Sequence, residues 1–129
     1  MVRQGPILVV EDNPKNMTLL RDVLVHEGYE ILEANTAEMG LEMARERPPA
    51  MILLDIQLPG GMDGLEAVKL LKHDELTADV PVVAVTAFAM KDDRQRAIDA
   101  GFDGYLEKPI SLQALREEVR LFAEPEAKP

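Results

Sequence analysis

The sequence predicts a doubly wound α/β fold, five parallel strands in the order 2-1-3-4-5 with helices on both faces. Three observations carry this. Short apolar runs alternate with amphipathic stretches five times, the rhythm of repeated βα units around a parallel sheet. Three of the runs, "ILVV", "MILL" and "VPVVAV", are almost uninterrupted, as strands covered on both sides must be. The other two, "YEILEA" and "GYLEK", admit polar residues, which suits edge positions.

The first strand falls near Ile7 to Val10. Asn13 then offers a side-chain cap for a helix with Pro14 in its first turn, and Gly28 ends it. A second strand near Tyr29 to Ala34 leads to Asn35 or Thr36 as the next cap, and Pro48 and Pro49 close that helix. The third strand, Met51 to Leu54, precedes a helix that begins at Gly64, and the fourth spans Val80 to Val85. The fourth helix, in "MKDDRQRAIDAG", has only Met90, Ala97 and Ile98 as sizeable apolar anchors and is therefore the easiest to shift. Gly101 follows it, and a fifth strand runs from Gly104 to Glu107. Ser111 caps the last helix after Pro109, with Leu112, Leu115, Val119 and Phe122 forming an apolar stripe that should pack on the sheet. Strands one, three and four lie centrally, with two and five outside, which is the flavodoxin-like order.

At 129 residues the chain fits one domain, here 1–123, followed by a short aperiodic tail at 124–129 that carries two prolines. No apolar run approaches the roughly 18 residues of a membrane span, and "MVRQGP" leads into a run too short for a signal peptide. The expected location is the cytoplasm, in keeping with the absence of cysteine, which also excludes thiolate metal sites and thiol nucleophiles. A net charge of -10 argues against nucleic-acid binding.

In an open parallel sheet, function gathers beyond the carboxyl ends of the strands where the strand order reverses, here between strands one and three. Glu11 and Asp12 follow strand one and Asp55 follows strand three, so three carboxylates meet at one crevice. Two such charges about 4 Å apart repel by about 1 kcal/mol in water and about 4 kcal/mol at an effective dielectric near 20. Something must neutralise them, and hard oxygen donors favour Mg²⁺ over zinc or copper. Thr86 closes strand four and Lys108 strand five, so a hydroxyl and an ammonium reach the same edge and suit a phosphoryl group. Asp55 is then the natural nucleophile. Each residue alone reads as ordinary: acidic groups before a helix, a turn aspartate, a strand threonine, a solvated lysine. Their convergence on one edge reverses that.

From about Ile7 to Phe122 the chain resembles a response-regulator receiver domain of the CheY-like family. The resemblance rests on Glu11 and Asp12, Asp55 in "LLDIQLP", Thr86 in "VTAFAM", Tyr105, and Lys108 followed by Pro109. "VTAFAM" and the very short tail look most similar to DivK-type single-domain regulators and to receivers attached to hybrid kinases. The resemblance implies that Asp55 accepts phosphate from a histidine kinase or histidine phosphotransfer protein. It further implies that Asp12, Asp55 and the carbonyl of Gln57 bind Mg²⁺, with Glu11 acting through water. Thr86 and Lys108 would hold the phosphoryl oxygens. Thr86 and Tyr105 would form a switch that reshapes the face of helix four, strand five and helix five for a downstream protein target, with phosphorylation promoting dimerisation. Phosphotransfer and self-dephosphorylation would be its only chemistry, without turnover of metabolites.

The family usually runs Asp-x-x-Met-Pro-x-Met-Asp-Gly, whereas Asp55 to Gly64 reads "DIQLPGGMDG", with Leu58 for Met and one extra residue. The added glycine should bulge outward. Three other functions compete. A haloacid-dehalogenase-like phosphatase would want a second aspartate where Gln57 stands. A flavodoxin-like electron carrier would need a hydroxyl- and glycine-rich phosphate loop in place of "EDNPKN", and more aromatics than 4%. A receiver-shaped docking module would act without phosphate.

Overall fold

A computed structural model describes residues 5–87 and 91–123. Five strands and five helices alternate: β1 (Ile7–Val10), α1 (Pro14–His26), β2 (Ile31–Ala34), α2 (Ala37–Glu46), β3 (Met51–Asp55), α3 (Gly64–His73), β4 (Val82–Thr86), α4 (Lys91–Ala100), β5 (Gly104–Glu107) and α5 (Leu112–Phe122). The sheet is wholly parallel, in the order β2-β1-β3-β4-β5.

Alternation along each strand splits the core into two layers. Leu8, Val10, Ile52, Leu54, Val82 and Ala84 face one way, with Ala37 and Ala44 of α2, Ala67, Val68 and Leu71 of α3, and Ala97 of α4. Ile7, Val9, Met51, Leu53, Val83 and Val85 face the other, against Met17, Leu20 and Leu24 of α1 and Leu115 and Val119 of α5. Every residue of β1, β3 and β4 is buried, which is why those runs carry no alternation in the sequence.

The caps follow local chemistry. Asn13 Oδ1 accepts from the N–H groups of Lys15 and Asn16, Thr36 from Met39, Asp63 from Glu66 and Ser111 from Ala114. Gly28 and Gly101 adopt left-handed φ of 98° and 121° just past α1 and α4.

Five details differ from the sequence reading. β2 starts at Ile31, because the Tyr29 N–H still donates to Leu24 O at the end of α1. β4 runs Val82–Thr86 rather than from Val80, and β3 includes Asp55, so the ladder carries both site residues on its last rungs. Leu112 is 46% exposed, so the buried stripe of α5 narrows to Leu115 and Val119 with Phe122 half-buried; a helix on an edge strand covers only part of its own stripe. Ile98 is 53% exposed, leaving Ala97 as the buried anchor of α4, while Met90 lies outside the described residues. So does the segment 124–129 expected as a tail.

Candidate functional site

The carboxyl ends of β1, β3, β4 and β5 bring the expected residues together. The Glu11 N–H donates to Ala34 O at 3.0 Å, holding the residue after β1 against β2. Ile56 N–H donates to Val85 O and Lys108 N–H to Thr86 O, so the residues after β3 and β5 are both tied to β4. Glu11, Asp55 and Thr86 are almost fully buried, at 2%, 2% and 1% exposure, whereas Asp12 is exposed. The Lys108–Pro109 peptide bond is cis.

Lys108 is the central cation. Its Nζ donates to Asp55 Oδ2 at 2.8 Å and lies 3.1 Å from Glu11 Oε1. The other oxygens have backbone donors: Asn13 N–H to Glu11 Oε2 at 3.1 Å, and Gln57 N–H to Asp55 Oδ1 at 2.9 Å. Glu11 Oε1 shares the Lys108 ammonium with Asp55 at 3.1 Å and has no other partner among the described residues, so the buried oxygen retains a lone pair for a further one. Burial, with repulsion from Asp55, pushes the Glu11 carboxyl above its usual value against the pull of the Asn13 N–H and Lys108. Burial pulls Lys108 down, but Asp55 and Glu11 outweigh it, so the ammonium is held above the ordinary lysine value.

One carboxylate oxygen from each of Glu11, Asp12 and Asp55 lies within 4.8 Å of the others. With the lone pair left on the buried Glu11 Oε1, this all-oxygen donor set fits a hard divalent cation. Among the described residues a single ammonium, that of Lys108, pairs within this cluster of three carboxylates, which leaves an excess of negative charge for such an ion to offset.

Thr86 pairs with Glu107 across the β4–β5 ladder and Tyr105 with Ala84. Thr86 and Tyr105 therefore point to the same face of the sheet, the one covered by α4. Tyr105 is half-buried, with the Arg94 guanidinium 5.4 Å from its ring centroid. Burial, then Glu107 and Asp93, raises its phenol above the usual value. The β3–α3 loop accommodates its extra residue on the outside: Gly60 has φ 94° and both Gly60 and Gly61 are exposed. The chain then returns to its anchor, where Gly64 N–H donates to Ile56 O at 2.9 Å.

Two contacts were not legible beforehand. Thr86 Oγ1 donates to the side-chain Oε1 of Gln57 at 3.1 Å, whereas the family resemblance implies a role only for the Gln57 carbonyl. At the opposite end of the sheet, Lys72 Nζ donates to Val80 O and to Asp103 Oδ2, and Asp103 Oδ2 also accepts from Val82 N–H. Neither a lone glutamine nor a lysine and an aspartate 31 residues apart carries a pattern in sequence.

Among known proteins, the polar-differentiation response regulator DivK of Brucella ovis is 44% identical over 116 residues, covering 90% of this chain and 94% of the relative. The receiver domain of a sensor histidine kinase from Pseudomonas aeruginosa, solved with a magnesium ion coordinated in its active-site cleft, superposes with a TM-score of 0.85. It is 31% identical, over 92% of this chain and 97% of that one. The chemotaxis protein CheY4 of Vibrio cholerae shares the fold, with a TM-score of 0.85 at 23% identity over 92% of this chain and 98% of that one. The response regulator receiver domain model matches residues 7–120, a span that holds every residue of the acidic site and both members of the Thr86–Tyr105 pair. The chain belongs to the response regulator receiver domain family.

Proposed function

We propose that the protein is a phosphoacceptor switch of a two-component or phosphorelay system, in which Asp55 takes a phosphoryl group from a phosphohistidine on a histidine kinase or phosphotransfer protein. The observation that carries this is the buried Asp55 carboxylate bonded to Lys108 at 2.8 Å beside two further carboxylates within 4.8 Å. An Asp55 carboxylate oxygen attacks phosphorus as the P–N bond to imidazole breaks. The bonding pair stays on the donor's nitrogen, and an acyl phosphate forms. Lys108 and Thr86 would donate to the transferred oxygens as charge accumulates there, a reading supported by the ammonium already bonded to Asp55. Glu11, Asp12, Asp55 and the Gln57 carbonyl would hold Mg²⁺, which supplies positive charge against the incoming phosphoryl group.

On this reading the chain does not turn over metabolites, and hydrolysis of its own acyl phosphate resets it. It works in the cytoplasm, in keeping with the lack of any helix among the described residues long and apolar enough to cross a membrane. Rearrangement at Thr86 and Tyr105 alters the α4–β5–α5 face that a downstream protein, or a second phosphorylated copy, would bind. Intact mass spectrometry after incubation with Mg²⁺ and a small phosphodonor tests the assignment. The parent gains one phosphoryl group and Asp55→Asn gains none; equal labelling of the two would refute it.

A further inference from the structure

We propose that Gln57 is a positioning residue that holds Thr86 in its resting orientation, so that the hydroxyl exchanges one acceptor for another when Asp55 is phosphorylated. The inference rests on the phosphoacceptor reading above. Thr86 Oγ1 donates to Gln57 Oε1 at 3.1 Å. A hydroxyl has a single proton to donate, so the proton spent on Gln57 is the one a phosphoryl oxygen on Asp55 would need. Gln57 touches both partners of that exchange, because its backbone N–H donates to Asp55 Oδ1 at 2.9 Å while its side chain engages Thr86. A phosphoryl group on Asp55 thus arrives beside the residue that restrains the hydroxyl.

The bond can be exchanged without repacking the core. Thr86 is 1% exposed, but Gln57 is exposed. The two border a cleft of about 390 Å³ whose other walls include Leu58, Leu65, Asp93 and Arg96, leaving room for the amide to swing aside. A neutral hydrogen bond with one exposed partner biases a two-state equilibrium by about two- to fivefold. Gln57 therefore favours the unphosphorylated arrangement, and its identity tunes how readily the switch responds.

The test uses the whole chain with Mg²⁺ and beryllofluoride as the phosphoryl mimic, in parent and Gln57→Met proteins, each with Thr86 or with Thr86→Val. Gln57→Met should lower the half-saturating beryllofluoride concentration about two- to fivefold, and the effect should vanish when Thr86 is valine. A second measurement needs no phosphoryl group. Three-bond NMR couplings should report a Thr86 χ1 rotamer population in Gln57→Met that differs from the parent's. An unchanged half-saturation, an equal shift in both backgrounds, or an unchanged rotamer would overturn the proposal. A parent that takes up no mimic at all would instead defeat the phosphoacceptor reading, and the rotamer measurement would still decide the Gln57 contact.

Discussion

Replacing Asp12 by asparagine should stabilise the protein without Mg²⁺ and weaken its response to Mg²⁺. Carboxylate oxygens of Glu11, Asp12 and Asp55 lie within 4.8 Å of one another, with one ammonium between Glu11 and Asp55. Two unit charges at that separation repel by about 0.9 kcal/mol in water and about 3.5 kcal/mol at an effective dielectric of 20. Asp12 is exposed, so the lower figure governs. Its two neighbours together cost about 2 kcal/mol, and attraction to Lys108 returns part of that. The net relief in Asp12→Asn is about 1 kcal/mol, a rise of about 0.5 M in the urea midpoint. A cation at one hundred times its dissociation constant adds about 2.7 kcal/mol to the parent, and less to a variant with one carboxylate fewer. Urea unfolding in EDTA and in excess Mg²⁺ should therefore rank the two proteins in opposite orders. If Asp12→Asn is the weaker protein in EDTA, or gains as much from Mg²⁺ as the parent, the view of these carboxylates as mutually strained metal ligands is wrong.

Gly64→Ala should be costly, because a methyl there would sit 2.5 Å from Asp55 O and 2.7 Å from Ile56 Cα, both backbone atoms that cannot yield as a side chain would. A loss of about 1–3 kcal/mol is expected, seen as a drop in Tm of roughly 4–12 °C and slower labelling of Asp55; an unchanged Tm would contradict the close approach. At the far end of the sheet, hydrogen bonds from Arg47 at 2.8 Å hold the Glu30 carboxyl below its usual value of 4.5, against the opposing effect of desolvation. Because the folded-state value is depressed, the pair's contribution is complete above pH 4.5 and disappears as pH falls through the lowered value. An NMR titration should find the Glu30 midpoint raised in Arg47→Ala, and an unmoved midpoint would remove Arg47 as the cause.

The sheet order was legible because burial on both faces leaves a direct trace: "ILVV", "MILL" and "VPVVAV" became β1, β3 and β4, and the two mixed runs became the edges. The acidic site was legible because strand ends in a parallel sheet share one edge, so residues far apart in sequence converge once the order is known. Helix faces were harder. Leu112 keeps helical spacing with the buried Leu115 and Val119 yet remains exposed, and Ile98 follows the buried Ala97 but turns to solvent, because periodicity locates a stripe but not how far a neighbouring layer extends over it. Side-chain contacts such as Gln57 to Thr86 depend on rotamers and loop paths, which leave no periodic mark.

Asp55, Thr86 and Lys108 stand on or just beyond three consecutive strands, β3, β4 and β5. The residues that converge on the acidic site are thus spread sideways, strand by strand, toward the rim of the sheet. The outermost carrier, Lys108, is held in step by a ladder on one side alone. A slide of β5 by one residue, about 3.3 Å, would carry the ammonium off both carboxylates without disturbing β3. Whatever grips that outer strand therefore has mechanical leverage over the charge balance around Asp55.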